Sequence, residues 1–228
     1  MMELSIDTAS ELASVALSGE GHVIEDVAWH CRRNHTVEVL PAIDKLLSRN
    51  RVDQRQLTAV FVCTGPGMYT GLRVGVSIAQ GLARGLEIPA LGVGRLELDA
   101  YPHADFEADI VAVHRAGRGE LAWASYRGDP WREVSAPKLS HPEELAAAIS
   151  GRTLVVGEVD EELTGMLAGL EVTVREPAGE GRARSLAELG YARLSEGETA
   201  VAALLRPVYL RPPAIGGKKD AKSEKGKD

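Results

Sequence analysis

Short apolar stretches separated by polar turns dominate the first 95 residues of the chain. Residues 3–17 contain two short strand-like stretches joined by a polar turn, and residues 22–30 form a third, which predicts three strands of an antiparallel meander. Residues 57–63 (LTAVFVC) and 88–93 (IPALGV) are almost continuously apolar, as is typical of strands buried on both faces. The first half of the chain is therefore expected to build a mixed sheet.

Two helices are predicted between these strands. In residues 35–50, four residues recur at helical spacing on one face, namely Thr36, Leu40, Ile43 and Leu47. Pro41 lies inside this segment and is expected to bend the helix. The second helix follows the glycine-rich loop TGPGMYTG and is predicted to run from about Tyr69 to Arg84, where Gly85 ends it.

The same order of elements then occurs a second time. Residues 108–134 predict three more strands, and residues 141–197 predict alternating helices and strands. A duplicated βββαβα unit predicts an α/β protein with two mixed sheets, and it resembles the two-lobed actin, Hsp70 and sugar-kinase (ASKHA) superfamily, in which the cleft between the lobes holds a nucleotide. The expected divisions are an N-terminal lobe over 1–103, a smaller C-terminal lobe over 104–215, and a disordered charged tail over 216–228.

Charge and composition exclude several classes of protein. The formal net charge of -7 argues against a broad nucleic-acid surface. No apolar run approaches the roughly 18 residues that a membrane span needs, and the N-terminus lacks a signal-peptide pattern, so we expect a cytoplasmic protein without membrane contact. The two cysteines, Cys31 and Cys63, are expected to be buried thiols rather than a disulfide framework.

The glycine-rich loop does not match either common phosphate-binding motif. A P-loop needs Lys after its last glycine, where this chain has Leu72 after Gly71, and a dinucleotide fingerprint needs a third glycine at the position of Thr70. A helix N-terminus still favours an anion through its free N–H groups. Gly67, Thr70 and Arg73 are therefore candidate anion contacts, and Thr70 is also a candidate helix cap, beside the alternative that the loop serves turn and packing needs.

Glycines inside the second helix suggest close packing. Gly71, Gly75, Ile78 and Leu82 share one stripe, and each interior glycine costs about 1 kcal/mol relative to alanine. The close approach of another helix, from the same fold or from a second subunit, would offset that cost. A helix buried entirely within the fold is the alternative.

Residues for catalysis are few. No two of the six histidines lie three or four residues apart, so the paired-histidine spacing of a helical metal site is missing, and there is no Gly-x-Ser-x-Gly nucleophile elbow. Asp7, in the turn after the first strand, is the best carboxylate candidate. In the ASKHA superfamily an Asp at that place holds a metal through water, and by this resemblance Thr8 would face a phosphate; the alternative is an Asp that closes the turn. The matching turn of the second half, residues 113–117, contains no acid.

Four segments resemble the bacterial TsaB (YeaZ) family. They are SIDTASELASVAL, NHTVEVLP, CTGPGMYTGLRVGVSIAQGLARGLEIPALGV and PVYLR. Members of this family are inactive paralogues of TsaD, and with TsaD and the ATPase TsaE they form N6-threonylcarbamoyladenosine beside the anticodon of tRNAs that read codons beginning with A. The resemblance implies a non-catalytic dimerisation subunit that binds and activates TsaD. It also implies no tightly bound cofactor, with ATP and a divalent metal on the partner subunits.

The same resemblance implies how the chain assembles. Family members form homodimers, or a heterodimer with TsaD, through two helices of the first lobe, and tRNA is contacted only through the complex. The interface residues implied in this chain are His35, Thr36, Leu40, Ile43, Leu47, Thr70, Gly71, Val74, Gly75, Ile78 and Leu82. One departure is the run Arg115-Ala116-Gly117, where many relatives show Asp-Ala-Arg. The alternative functions are a stand-alone nucleotide-dependent transferase or kinase and, less favoured for want of a nucleophile or metal set, a peptidase.

Overall fold

Two five-stranded mixed sheets form the framework of the computed structural model, which describes residues 1–175, 181–198 and 201–210. The first sheet has the order β3-β2-β1-β4-β5 and contains β1 (Glu3–Asp7), β2 (Leu12–Gly19), β3 (His22–His30), β4 (Ala59–Gly65) and β5 (Ala90–Gly94). The second has the order β10-β9-β6-β7-β8 and contains β6 (Asp109–Gly117), β7 (Glu120–Arg127), β8 (Arg132–Ser140), β9 (Thr153–Gly157) and β10 (Val172–Arg175).

The two sheets share one topology. In each, the first three strands are antiparallel neighbours, and the last two are added in parallel beside the first strand. The predicted fold class, a duplicated two-lobed α/β architecture with mixed sheets, is therefore confirmed.

Six α-helices cover the faces of these sheets in the described part of the chain. They are α1 (His35–Arg49), α2 (Tyr69–Leu86), α3 (Arg95–Ala100), α4 (Pro142–Ala148), α5 (Glu161–Leu167) and α6 (Ala183–Ser195). The predicted end of α2 at Gly85 is wrong: the helix runs to Leu86, and Glu87 caps it in the left-handed region at φ 57°. Thr70 is not the N-cap, because the helix begins after Met68, with no side-chain cap.

The predicted lobe boundaries disagree with the packing, because the two lobes exchange a helix. The short helix α3, which the pattern did not predict, follows the first sheet but contributes Leu96 and Ala100 to the core of the second. Conversely, α6 follows the second sheet but packs Leu186 and Leu189 on the first sheet, against Phe61. The first lobe thus needs residues beyond position 180, and the division at 103/104 is a correction to the sequence reading. The predicted tail over 216–228 lies outside the described residues.

The first sheet is buried on both faces. Leu4, Ile6 and Val62 face the layer formed by α1 and α2, whereas Phe61 and Leu91 face α6. This double coverage accounts for the nearly continuous apolar run in β4, all seven residues of which are buried. Among the described residues, no helix combines the length and the apolar character that crossing a membrane requires.

Candidate functional site

Asp7 ends β1 at the junction of the two lobes and is fully buried. Its Oδ1 atom accepts a hydrogen bond from the backbone N–H of Ala9 at 2.9 Å, and its Oδ2 atom lies 3.3 Å from the guanidinium of Arg182. The sequence offered Asp7 as a metal-organising carboxylate or as a residue that closes a turn. The contact with Ala9 is that of the turn-closing residue, and the charge of Asp7 is balanced within the chain.

Arg182 precedes α6 and joins Asp7 to Asp99 of α3. Its Nε atom donates to Asp99 Oδ1 at 2.6 Å. Burial opposes the charge of the guanidinium, but Asp99 and Asp7 outweigh burial and hold the pKa of Arg182 above its ordinary value. Because the lobes exchange α3 and α6, this ion pair connects the helix on the first sheet with the helix on the second.

Arg95 of α3 continues this series of ion pairs into the second lobe. Its Nη2 atom donates to Glu158 Oε1 at 2.6 Å, and His114 Nδ1 lies 2.9 Å from Glu158 Oε2. Burial would raise the pKa of Glu158, but the hydrogen bond with His114 and the charge of Arg95 hold that pKa well below its usual range. The turn at 113–117 lacks an acid in sequence, yet the structure brings one to it from the end of β9.

A cavity of about 370 Å³ lies at this junction. Both lobes line it, and its polar walls include Ser10, Arg95, Asp99, Glu158 and Arg182. Sequence reasoning missed all five of these residues. Only Glu158 could have been identified as a site residue from the sequence, because it directly follows a buried strand. In α/β folds, ligands bind at the carboxyl ends of parallel strands.

Thr8 does not face the cavity. It is fully buried, and its hydroxyl donates to the carbonyl of Gly71 in the first turn of α2 at 2.8 Å. The expectation that Thr8 faces a phosphate is therefore wrong, because its side chain is fully buried and its hydroxyl proton is already used inside the fold. His35, at the start of α1, is similarly engaged: its Nε2 atom lies 2.9 Å from the carbonyl oxygen of Ser10.

The glycines of α2 that were assigned to a neighbouring helix instead make room for the β1–β2 turn. A Cβ atom on Gly71 would overlap the backbone carbonyl of Thr8, and one on Gly75 would overlap the Thr8 hydroxyl. Both glycines are buried. The interpretation of these two positions as clearance for another helix is thus wrong, since their close neighbour is Thr8 of the same chain.

The remaining candidate anion contacts lie in the glycine-rich loop and the first turns of α2. Gly67 packs on the β1–β2 turn, where a Cβ atom would overlap the carbonyl of Ala9. Thr70 is exposed at the start of α2. Arg73 stacks on the ring of Tyr69 at 4.2 Å and its Nε atom lies 3.4 Å from the Tyr209 hydroxyl. An anion contact at Gly67, Thr70 and Arg73 stays a prediction.

The predicted interface residues divide by exposure. Thr36, Leu40 and Thr70 are exposed, Val74, Ile78 and Leu82 are half-buried, and His35, Ile43, Leu47, Gly71 and Gly75 are buried within the chain. Leu40, Leu47 and Leu82 line one groove of about 680 Å³ along the two helices. We call Leu40, Val74, Ile78 and Leu82, with the exposed Val37 beside them, the α1–α2 face.

Three exposed residues of α1 and α2 were not singled out from the sequence. Val37 is 70% exposed, the largest exposed fraction among the apolar side chains of α1 and α2. Gly81 and Gly85 are the exposed glycines of α2, and a Cβ atom on either would meet nothing within 4 Å. All four glycines are visible in the sequence of the helix. Only the structure shows that Gly71 and Gly75 pack against Thr8 whereas Gly81 and Gly85 face open space.

Comparison with known proteins identifies the family. Over 92% of the chain and 95% of the relative, the sequence is 32% identical to the tRNA threonylcarbamoyladenosine biosynthesis protein TsaB of Escherichia coli K12. The chain belongs to the TsaB (YeaZ) family. The solved structure of YeaZ from Pseudomonas aeruginosa superimposes with a TM-score of 0.79 at 25% identity, covering 92% of this chain and 99% of that one. The resemblance stated from the sequence is thereby confirmed.

Part of the chain is also similar to TsaD proteins. The family model described as TsaD, tRNA N6-adenosine threonylcarbamoyltransferase, matches residues 27–155. The enzyme of that name from Anaeromyxobacter dehalogenans 2CP-C is 42% identical over 77 residues, which are 34% of this chain and 22% of the enzyme. Within residues 1–175, 181–198 and 201–210, no group of three or more His, Cys, Asp or Glu side chains is arranged to hold a metal ion.

Proposed function

We propose that this TsaB-family chain takes part in forming N6-threonylcarbamoyladenosine in tRNA as a non-catalytic subunit that binds and activates a TsaD-like catalytic subunit. The observation that carries the proposal is the α1–α2 face. Val37 and Leu40 are 70% and 53% exposed, and Leu40 lines a groove together with Leu47 and Leu82. Large apolar side chains that are exposed close together mark a candidate interaction site.

The shape of α2 supports a helical partner on this face. Gly81 and Gly85 are exposed, a Cβ atom on either would meet nothing within 4 Å, and each glycine costs about 1 kcal/mol relative to alanine in an isolated helix. No neighbour in the described chain accounts for them. A helix from another subunit that approaches the backbone closely would account for both, and the exposed leucine and valine would pack along its sides.

The state of Asp7 favours the non-catalytic role over a stand-alone transferase or kinase. Phosphoryl transfer relies on carboxylates that hold metal ions against the phosphates. Asp7 is fully buried, with one oxygen bonded to the backbone of Ala9 and the other paired with Arg182. Recruiting it to a metal would require breaking a buried ion pair, which is strongly unfavourable.

The proposal extends to the rest of the assembly. In it, the chain forms a homodimer when alone, and TsaD-like and TsaE-like subunits supply the sites for ATP and a divalent metal. The tRNA is reached through the complex, and the complex acts in the cytoplasm. The similarity to a TsaD enzyme over 77 residues supports the choice of a TsaD-like partner.

Reconstitution tests the proposed function. The purified chain with ATP, magnesium, threonylcarbamoyl adenylate and tRNA is expected to give no modified nucleoside, and addition of TsaD-like and TsaE-like subunits is expected to transfer the threonylcarbamoyl group to the tRNA with release of AMP. Omitting only this chain from the complete mixture is the control and should abolish product. Robust ATP turnover or product formation by the isolated chain would favour the stand-alone enzyme and overturn the proposal.

A further inference from the structure

One turn of backbone connects the lobe junction to the two helices that carry the α1–α2 face. Residues 7–10, between β1 and β2, make contacts on both sides. Toward the junction, Arg182 Nη1 lies 3.3 Å from Asp7 Oδ2 and 3.3 Å from the Ser10 hydroxyl. These contacts tie the turn to the charges that join the lobes.

Toward the helices, the same turn holds the first residues of α1 and α2. The Thr8 hydroxyl donates to the Gly71 carbonyl at 2.8 Å, and the Ser10 carbonyl lies 2.9 Å from His35 Nε2. The backbone N–H of Met68 donates to the Ala9 carbonyl at 2.8 Å, directly before α2 begins. Each helix start is therefore fixed by a long-range bond to the turn.

We infer that the β1–β2 turn is a positioning element, through which the ion pairs between the lobes set how the α1–α2 face is presented to a partner. The inference rests on the proposed function, because it concerns the same face. The charges form an unbroken series from Asp7 through Arg182, Asp99 and Arg95 to Glu158.

Burial makes this series sensitive to the loss of one member. Arg95 and Asp99 side chains are 3% and 5% exposed, and Arg95 Nε, which is 3.5 Å from Asp99 Oδ2, makes no hydrogen bond. Removing the charge of Glu158 leaves Arg95 with Asp99 as its remaining carboxylate partner. Arg95 then competes with Arg182 for Asp99, because a buried charge without a partner is costly. The contacts of Arg182 with Asp7 and Ser10 in the turn are expected to weaken as a result.

Hydrogen–deuterium exchange on the purified chain alone tests the positioning. Glu158→Gln and Asp99→Asn are the test variants, and Asp109→Asn, which removes a surface pair with Arg127, is the matched control. We expect amides in the first turns of α1 and α2 to exchange at least about fivefold faster in the test variants, with β4 amides unchanged. Equal exchange at both helix starts in Glu158→Gln, whose partly exposed site tolerates the change, would overturn the inference.

The second experiment measures the affinity of the same variants for a TsaD-like subunit. Glu158→Gln is expected to weaken binding about threefold to tenfold, and Asp109→Asn to leave it unchanged. Faster exchange with unaltered affinity would overturn the link between the turn and the partner face. If the unmodified chain does not bind the subunit at all, the proposed function fails, whereas the exchange experiment still decides whether the junction positions the helices.

Discussion

The hydroxyl of Thr8 donates a hydrogen bond to the carbonyl of Gly71 across 63 positions of sequence. This bond brings the turn after β1 against the first turn of α2, at a distance that leaves no room for a side chain on Gly71. The glycine-rich loop and the first hairpin are therefore one packed unit, in which close contacts with this turn account for Gly67 and Gly71.

Replacing Gly71 tests that packing. A Cβ atom at this position would overlap the backbone carbonyl of Thr8, which cannot rotate away, so Gly71→Ala is expected to lower the free energy of unfolding by about 1–3 kcal/mol. Gly81→Ala is the control in the same helix: its Cβ atom meets nothing, and the variant should gain about 0.5–1 kcal/mol from helix propensity. Urea denaturation measures both, and equal stabilisation by the two changes would refute the packing.

Acid should remove the contribution of Glu158 to stability. Its pKa in the folded chain lies below the ordinary value of 4.5, so its stabilisation is present above pH 4.5 and declines as the pH falls below it. Glu158→Gln is therefore expected to lose about 1 kcal/mol at pH 7, a figure reduced for solvent screening, and to differ less from the unmodified chain at pH 3. Denaturant titrations at the two pH values provide the comparison, and a difference that is larger at pH 3 would contradict the assignment.

The helix exchange predicts that the first lobe is not autonomous. A fragment of residues 1–103 lacks α6, so the face of the first sheet that contains Phe61 and Leu91 would be exposed to water. We expect this fragment to unfold without cooperativity in thermal circular dichroism. Adding a peptide of residues 181–198 should raise its ordered structure. Cooperative unfolding of the fragment at the midpoint of the full chain would show that α6 is dispensable for the first lobe.

The hydrophobic pattern predicted the sheets well because each strand carries a local signal. β4 is almost continuously apolar, β1 and β2 are apolar stretches on either side of a polar turn, and all three lie where the pattern places them. The helix α3 was not predicted because it is only six residues long and starts with Arg95, one of whose acidic partners, Glu158, lies 63 positions away in sequence. The packing of α6 on the first sheet was not predicted for a related reason, since the sequence of α6 does not indicate which sheet the helix covers.

The candidate site was harder to predict than the fold. Asp7 was recognised from its place after the first strand, but its partner Arg182 lies 175 positions away. Gly71 and Gly81 look alike in sequence, and only packing shows that one contacts Thr8 while the other faces open space. Contacts between residues this far apart in sequence depend on the tertiary structure, which cannot be inferred from the spacing of residues along one helix.

The affinity of the chain for a purified TsaD-like subunit, with Leu40→Glu compared against Leu170→Glu, tests the central claim most directly. Both leucines are exposed, at 53% and 40%, so both variants should fold, but Leu40 belongs to the α1–α2 face and Leu170 lies in the second lobe. We expect Leu40→Glu to weaken binding at least about thirtyfold, as burial of an unpaired charge in an interface requires, and Leu170→Glu to bind as the unmodified chain does. Equal affinity of the two variants would contradict the account.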